Sequence, residues 1–296
     1  MTETLLKDRR SLVLPALAVV GTVVTWAAAF PAIGFALRQI EPLPLAAIRF
    51  ALAALFALAW LAWRRPASFS RRDYGMVALS GLLGIAAYNV LLNSGQASVS
   101  AGAASFIINT QPLFMALLAV LFLKEAFNRW SWLGAAIGFA GVAIIASGQP
   151  GGLTFGMGSS LILGAAACAA LYSTLQRPLL ARIAPLDMTA FVIVAGAVAL
   201  LPWLPAGLTQ TGLARPETIA TIVFLAIGPG IVGQCCWTYA LKSFGVAQAG
   251  QFLYLVPPVA VLLAWLLIGE TPQTPTLFGG ALALLGVIVV NRWGKR

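Results

Sequence analysis

The sequence predicts an all-α polytopic membrane protein, ten transmembrane helices arranged as two five-helix repeats of inverted topology. Three observations carry that expectation. Of 296 residues, 60% are hydrophobic and 9% charged, with a mean hydropathy of +0.94, outside the range of water-soluble domains. Apolar runs of about 20 residues, the length that crosses a hydrocarbon core, recur from end to end. The chain is also written twice. An offset of 145 carries Pro112 onto Pro257, Glu125 onto Glu270, Gly134 onto Gly279 and Gly141 onto Gly286, and an offset of 143 carries Pro42 onto Pro185, Leu58 onto Leu201 and Trp60 onto Trp203. Matches of Ala, Leu and Gly are cheap in an apolar chain, so the Pro, Glu and Trp matches bear the weight. Internal repetition is the architecture of secondary transporters, whose sites lie between the halves.

Spans are expected at about 11–36, 44–63, 74–95, 99–123, 130–147, 156–176, 187–204, 217–240, 245–268 and 275–292, nearly all helical because lipid offers no partner for unpaired backbone groups. Residues 1–148 form the first repeat and 149–296 the second, within one integral membrane unit. Span one follows the basic Lys7–Arg10 stretch and mimics a signal peptide near Ala27-Ala28-Ala29. It runs on through Phe35 and has a counterpart in the second half, so it is read as retained, interrupted at Pro31. Span two closes on Trp63-Arg64-Arg65-Pro66. Span three carries Asn89, Asn93 and Gln96 at helical spacing on one face. Span four sets Ser105 and Asn109 on one face, bends at Pro112 and ends at Glu125. Span five carries Gly134 and Gly141, and Gln149-Pro150-Gly151-Gly152 turns between the halves.

In the second copy, span six buries Tyr172, and span seven begins near Asp187 and ends near Trp203. Gly228-Pro229-Gly230 breaks span eight, which sets Gln234 and Thr238 over Asn89 and Asn93. Span nine carries Gln251 and Tyr254 on one face, then Pro257-Pro258 and Glu270; span ten has Gly279 and Gly286. Five spans per repeat is an odd number, so the second copy enters the membrane reversed, related to the first by a pseudo-twofold axis in the membrane plane. Glu41, Asp187 and Glu217 fall at span beginnings, where helix capping is the simple explanation.

The formal net charge is +10, but its placement argues for a bilayer and against nucleic acid as the partner. With both termini cytoplasmic, the inner side carries Lys7, Arg9, Arg10, Arg64, Arg65, Arg71, Arg72, Lys124, Arg129, Arg177, Arg182, Lys242, Arg292, Lys295 and Arg296, against Arg38 and Arg215 outside. That asymmetry sets the orientation. Arg49 lies inside span two, where it either snorkels outward or pairs with an acid such as Glu270, and a structural role is expected of it. No Asp or Glu falls near a span centre and there is no histidine, which disfavours a carboxylate proton relay, an organic-cation site and metal binding. Cys168, Cys235 and Cys236 read as packing residues. No phosphate loop, metal cluster or nucleophile with a base is present, so neither an enzyme nor a cofactor is expected.

The candidate site is a central cavity for a small molecule. Trp26, Tyr88, Tyr172, Trp237 and Tyr254 would supply apolar walls, and Asn93, Asn109, Gln234 and Gln251 would orient polar groups. Polar stripes in spans avoid lipid; the alternative is that the same residues only hydrogen-bond helices together.

The chain resembles the drug/metabolite transporter superfamily, in particular its ten-helix EamA-type exporters. The resemblance rests on Arg49-Phe50, Ala101-Gly102-Ala103-Ala104-Ser105, Pro112-Leu113-Phe114 and Leu121-Phe122-Leu123-Lys124-Glu125, with Pro257 and Leu266-Leu267-Ile268-Gly269-Glu270 in the second copy. It implies a multi-pass exporter of small metabolites in the bacterial inner membrane, working by alternating access. The five aromatic positions resemble those of YddG-type exporters of aromatic and other apolar amino acids. Other cargoes the resemblance leaves open are a lipophilic drug or a nucleobase-like metabolite, and a passive solute channel is a further alternative; a monomer is compatible. The chain departs from a strict repeat at Arg49, whose counterpart is Val192, and Asn109-Thr110-Gln111 is more polar than a typical family span.

Overall fold

The structure, a computed structural model, describes residues 2–66, 70–99, 101–147, 156–268 and 274–294. Among them, eight helices are long and apolar enough to cross a membrane: Val13–Ala36, Pro42–Arg64, Arg71–Gln96, Ala104–Leu123, Met157–Leu179, Pro185–Leu213, Pro216–Phe244 and Val246–Leu263. Arg129–Ser147 and Thr274–Trp293 are two further apolar helices, of 19 and 20 residues. At 1.5 Å per residue each is about 30 Å long, the thickness of a hydrocarbon core. These ten elements are the ten expected spans, and the chain is an all-α polytopic membrane protein. The turn expected at 149–152 and the acid Glu270 lie outside the described residues.

Boundaries differ where proline misleads. Span one stays helical through Pro31 instead of breaking there. Span seven does not stop near 204: a 3₁₀ turn at Leu201–Trp203 leads into Leu204–Leu213, since a proline in a first helical turn removes a donor that has no partner anyway. Ser70 starts span three by accepting the Asp73 amide at 3.2 Å. Arg65, in the left-handed region at φ 45°, ends span two. The capping expected of two acids is absent: Glu41 makes no side-chain cap bond, and Asp187 instead accepts the Trp60 indole N–H at 2.9 Å.

The halves interlock. Span one of the first half packs on spans eight and nine of the second, and span six packs on spans three and four. Span two lies on seven, four on nine and five on ten. Exchanging each helix for its repeat partner leaves this set of contacts unchanged, as a twofold relation requires. Glycine contacts give the directions. A methyl group on Gly134 would lie 2.7 Å from the carbonyl oxygen of Gly286, and one on Gly141 would lie 2.6 Å from that of Gly279. Rising numbers in span five therefore meet falling numbers in span ten, so equivalent helices run antiparallel and the repeats are inverted.

Four of the departures from α geometry come in pairs. Wider π turns occupy Leu82–Ala87 in span three and Ala226–Gly233 in span eight. Span four pauses at Asn109 and Thr110 between Ala101–Ile108 and Gln111–Leu118. Its mate, span nine, tightens into a 3₁₀ turn at Phe252–Leu255. Pro112 and Pro257 follow these last two interruptions, in the first turn of each resumed helix. Broken helices inside a bilayer are tolerated where protein or a cavity satisfies the freed groups, and all four breaks converge on the middle of the bundle.

Candidate functional site

A cavity opens where those breaks meet, lined from spans one, two, three, four, six, eight and nine. Its volume is about 70 Å³, room for about five waters. Aromatic and aliphatic walls come from Trp26, Phe30, Ile33, Phe50, Tyr88, Tyr172 and Leu253; the polar groups are Arg49, Asn89, Asn109, Gln111 and Gln234. No carboxylate is among the lining residues described.

Local backbone chemistry positions each side chain. A helical proline leaves the carbonyl four residues earlier without its usual partner. For Pro229 that residue is Leu225, and its oxygen accepts Arg49 Nη2–H at 3.5 Å. The Pro229 carbonyl itself accepts the Trp26 indole N–H at 3.4 Å. On span three, Asn89 Nδ2 donates to the Ile85 carbonyl in the π turn at 2.7 Å. Asn109, at the pause in span four, donates from Nδ2 to the Ser105 carbonyl at 2.6 Å, while its Oδ1 has no partner. Tyr172 donates its hydroxyl to Gln234 Oε1 at 3.3 Å. Gly84 makes room for Tyr172, because a methyl group there would run into the phenol ring.

Five of the nine residues expected from sequence line this cavity: Trp26, Tyr88, Asn109, Tyr172 and Gln234. The other four sit behind the wall. Trp237 supports Trp26, ring centroids 5.3 Å apart. Asn93 is fully buried and donates from Nδ2 to the Pro42 carbonyl at 3.1 Å, tying span three to span two. Gln251 turns back to the Ala247 carbonyl of its own helix at 3.5 Å. Tyr254 packs with Ala135, Val142, Ala283 and Val287 in a separate cluster between spans five and ten. Leu253 and Val256, the repeat mates of the lining residues Ile108 and Gln111, keep their place at the cavity, whereas Tyr254, the mate of Asn109, turns into the contact between spans five and ten.

Sequence reasoning missed Arg49 and Gln111 as lining residues, and it set Asn89 in an inward polar stripe without naming it among the nine. For Arg49 the signal was present, since an ionisable residue inside a span marks a functional site by default. It neither snorkels out nor stays at the surface: it is 4% exposed, with its guanidinium carbon 4.8 Å from the Phe50 ring centroid.

Bonds between the halves bridge both ends of the bundle. At the end carrying the basic loops, Arg182 donates two hydrogen bonds to Asp73, at 2.8 and 3.1 Å. There Glu125 accepts the amides of Val246 and Ala247 at 3.0 and 2.9 Å and lies 3.6 Å from Arg177. At the opposite end Gln210 Oε1 accepts the Glu41 amide at 2.9 Å and Gln39 Oε1 the Arg215 amide at 3.0 Å.

The EamA-like transporter family matches residues 13–147 and 156–292, once per half. A probable terminal-alkyne amino-acid exporter of Streptantibioticus cattleyicolor is 39% identical over 282 residues, covering 93% of this chain and 92% of that protein. The uncharacterized transporter YdfC of Bacillus subtilis is 33% identical, covering 91% and 90%. The inner membrane transporter YedA of Escherichia coli is 28% identical, covering 84% and 81%. A solved crystal structure aligns over 95% of this chain and 98% of its own at a TM-score of 0.76 and 20% identity, which shows a shared fold.

Proposed function

The chain belongs to the EamA-like transporter family, a transporter and not an enzyme, and from that premise we propose that it exports small, neutral, largely apolar metabolites. Amino acids, aromatic ones included, are the foremost cargo, carried by alternating access through the central cavity. The observation that carries this reading is the position of the cavity, at the junction of paired helix breaks from both halves. Its aromatic walls and few amides suit an apolar body with a polar head. The relationship to a probable terminal-alkyne amino-acid exporter points to the same cargo class. The basic end is read as cytoplasmic by the charge rule, and the relationship to the inner membrane transporter YedA supports the cytoplasmic membrane of a bacterium as its place.

A volume of about 70 Å³ is too small for such a cargo, so the walls must part to admit it. The breaks supply the bending points: short 3₁₀ and π turns hold fewer well-formed backbone bonds than α-helix and flex first. Bonds between the halves at both ends favour a gated carrier over an open pore. The test is counterflow in proteoliposomes loaded with unlabelled phenylalanine. Saturable, trans-accelerated uptake of labelled phenylalanine is expected. Linear flux would make the protein a channel. Counterflow of nucleobases or lipophilic drugs without any of neutral amino acids would assign a different cargo.

A further inference from the structure

We propose that Arg49 is the anion anchor of the cavity, and that the cargo carries a carboxylate which completes an otherwise uncompensated charge. This rests on the reading of the cavity as the transport site and deepens it by naming what the substrate must bring. Arg49 is 4% exposed, lies seven residues into span two and lines the cavity. One nitrogen, Nη2, donates to the Leu225 carbonyl; among the described residues, Nε and Nη1 have no partner. A guanidinium keeps its charge in any protein, and burying it without a counter-charge is costly. Among the described residues, neither ion pair involves Arg49 and no carboxylate lines the cavity. The Leu225 carbonyl freed by Pro229 and the Phe50 ring hold the group in place, and neither contributes a negative charge.

Opposite chemistry is available for the other end of a zwitterion. Asn109 also lines the cavity, and among the described residues its buried Oδ1 also lacks a partner, an acceptor suited to an ammonium group. Between these two, Phe30, Tyr88 and Tyr172 offer apolar walls. Such a cavity selects a carboxylic acid with a hydrophobic body, accepts the α-amino group as a second contact, and rejects lipophilic cations through the Arg49 charge. The lone arginine has Val192 as its repeat counterpart, so the anchor belongs to one half only. The substrate head is then held by the first repeat while the second moves past it.

The test compares acids with their amides on the full-length protein purified in detergent, by calorimetric titration. The pairs are phenylalanine with phenylalaninamide, and 3-phenylpropionate with 3-phenylpropionamide. The wild type should prefer the acid at least tenfold in both pairs, Arg49→Gln should erase the preference, and Arg49→Lys should keep part of it. Glu270→Gln should leave it intact. Equal affinity for acid and amide in the wild type, no binding of either carboxylate, or an undiminished preference in folded Arg49→Gln overturns the anchor. So does loss of the preference in Glu270→Gln, or its complete absence in folded Arg49→Lys. The two readings fail separately. Acid preference without phenylalanine counterflow sinks the proposed cargo and leaves the anchor, whereas counterflow that ignores the carboxylate does the reverse.

Discussion

The carboxylate of Glu125, at the end of span four, accepts the backbone amide of Val246, the first residue of span nine, at 3.0 Å. The same group takes the Ala247 amide at 2.9 Å, so one side chain from the first half caps a helix of the second. An acid at a helix N-terminus satisfies orphan donors and meets the positive end of the dipole. Gly245, at φ +80°, passes close enough that a side chain there would collide with this carboxylate. Replacing Glu125 by Ala should cost about 1–2 kcal/mol, read as a lower midpoint of thermal unfolding in detergent. An unchanged midpoint would remove this contact from the forces joining the halves.

Spans five and ten meet backbone to backbone. A methyl group on Gly286 would lie 2.5 Å from the Gly138 amide nitrogen and 2.6 Å from the Gly134 oxygen, atoms that cannot swing aside. Gly286→Ala should therefore destabilise by about 1–3 kcal/mol. Gly280→Ala, whose added methyl would meet only Pro258 at 3.5 Å, should stay within about 0.5 kcal/mol of wild type. Equal midpoints for the two variants would contradict the close crossing.

Trp237 acts through Trp26. The rings lie 5.3 Å apart and tilted by 44°, and only Trp26 reaches the cavity. Each single alanine variant should weaken half-saturation by phenylalanine, but the double variant should fall short of the sum. A coupling of about 0.5–1.5 kcal/mol is expected for an aromatic pair. Strict additivity would show that Trp237 contributes on its own.

The bond from Arg182 to Asp73 bridges the halves at the basic end. Arg182 is largely exposed, with a side-chain exposure of 63%, so the pair is worth less than about 1 kcal/mol. Arg182→Gln should leave stability almost unchanged while easing access from that end. The readout is maleimide labelling from the basic side of Ala169→Cys, a cavity position, in a background lacking Cys168, Cys235 and Cys236. Labelling should quicken; a rate equal to that of the parent would show that the bond is not part of the gate.

Period and repetition made the fold legible without coordinates. Ten apolar runs and paired Pro, Glu and Gly positions dictate ten helices in two inverted copies, because unpaired backbone cannot survive in lipid and an odd number of spans reverses the second copy. Trp26, Tyr88, Asn109, Tyr172 and Gln234 could be named for the cavity because aromatic and amide side chains avoid lipid on inward helical faces. Spacing along one helix, however, fixes only which residues share a face, not which neighbour that face meets. Asn93 and Gln251 share faces with polar residues yet bond to Pro42 and Ala247. Tyr254 lies in the contact between spans five and ten although its repeat mate Asn109 lines the cavity. Only the tertiary structure decided where Arg49 would go. Pro229, 180 residues away in sequence, frees the carbonyl that holds the guanidinium in the cavity. A bond between two helices of different halves has no signature in either helix alone.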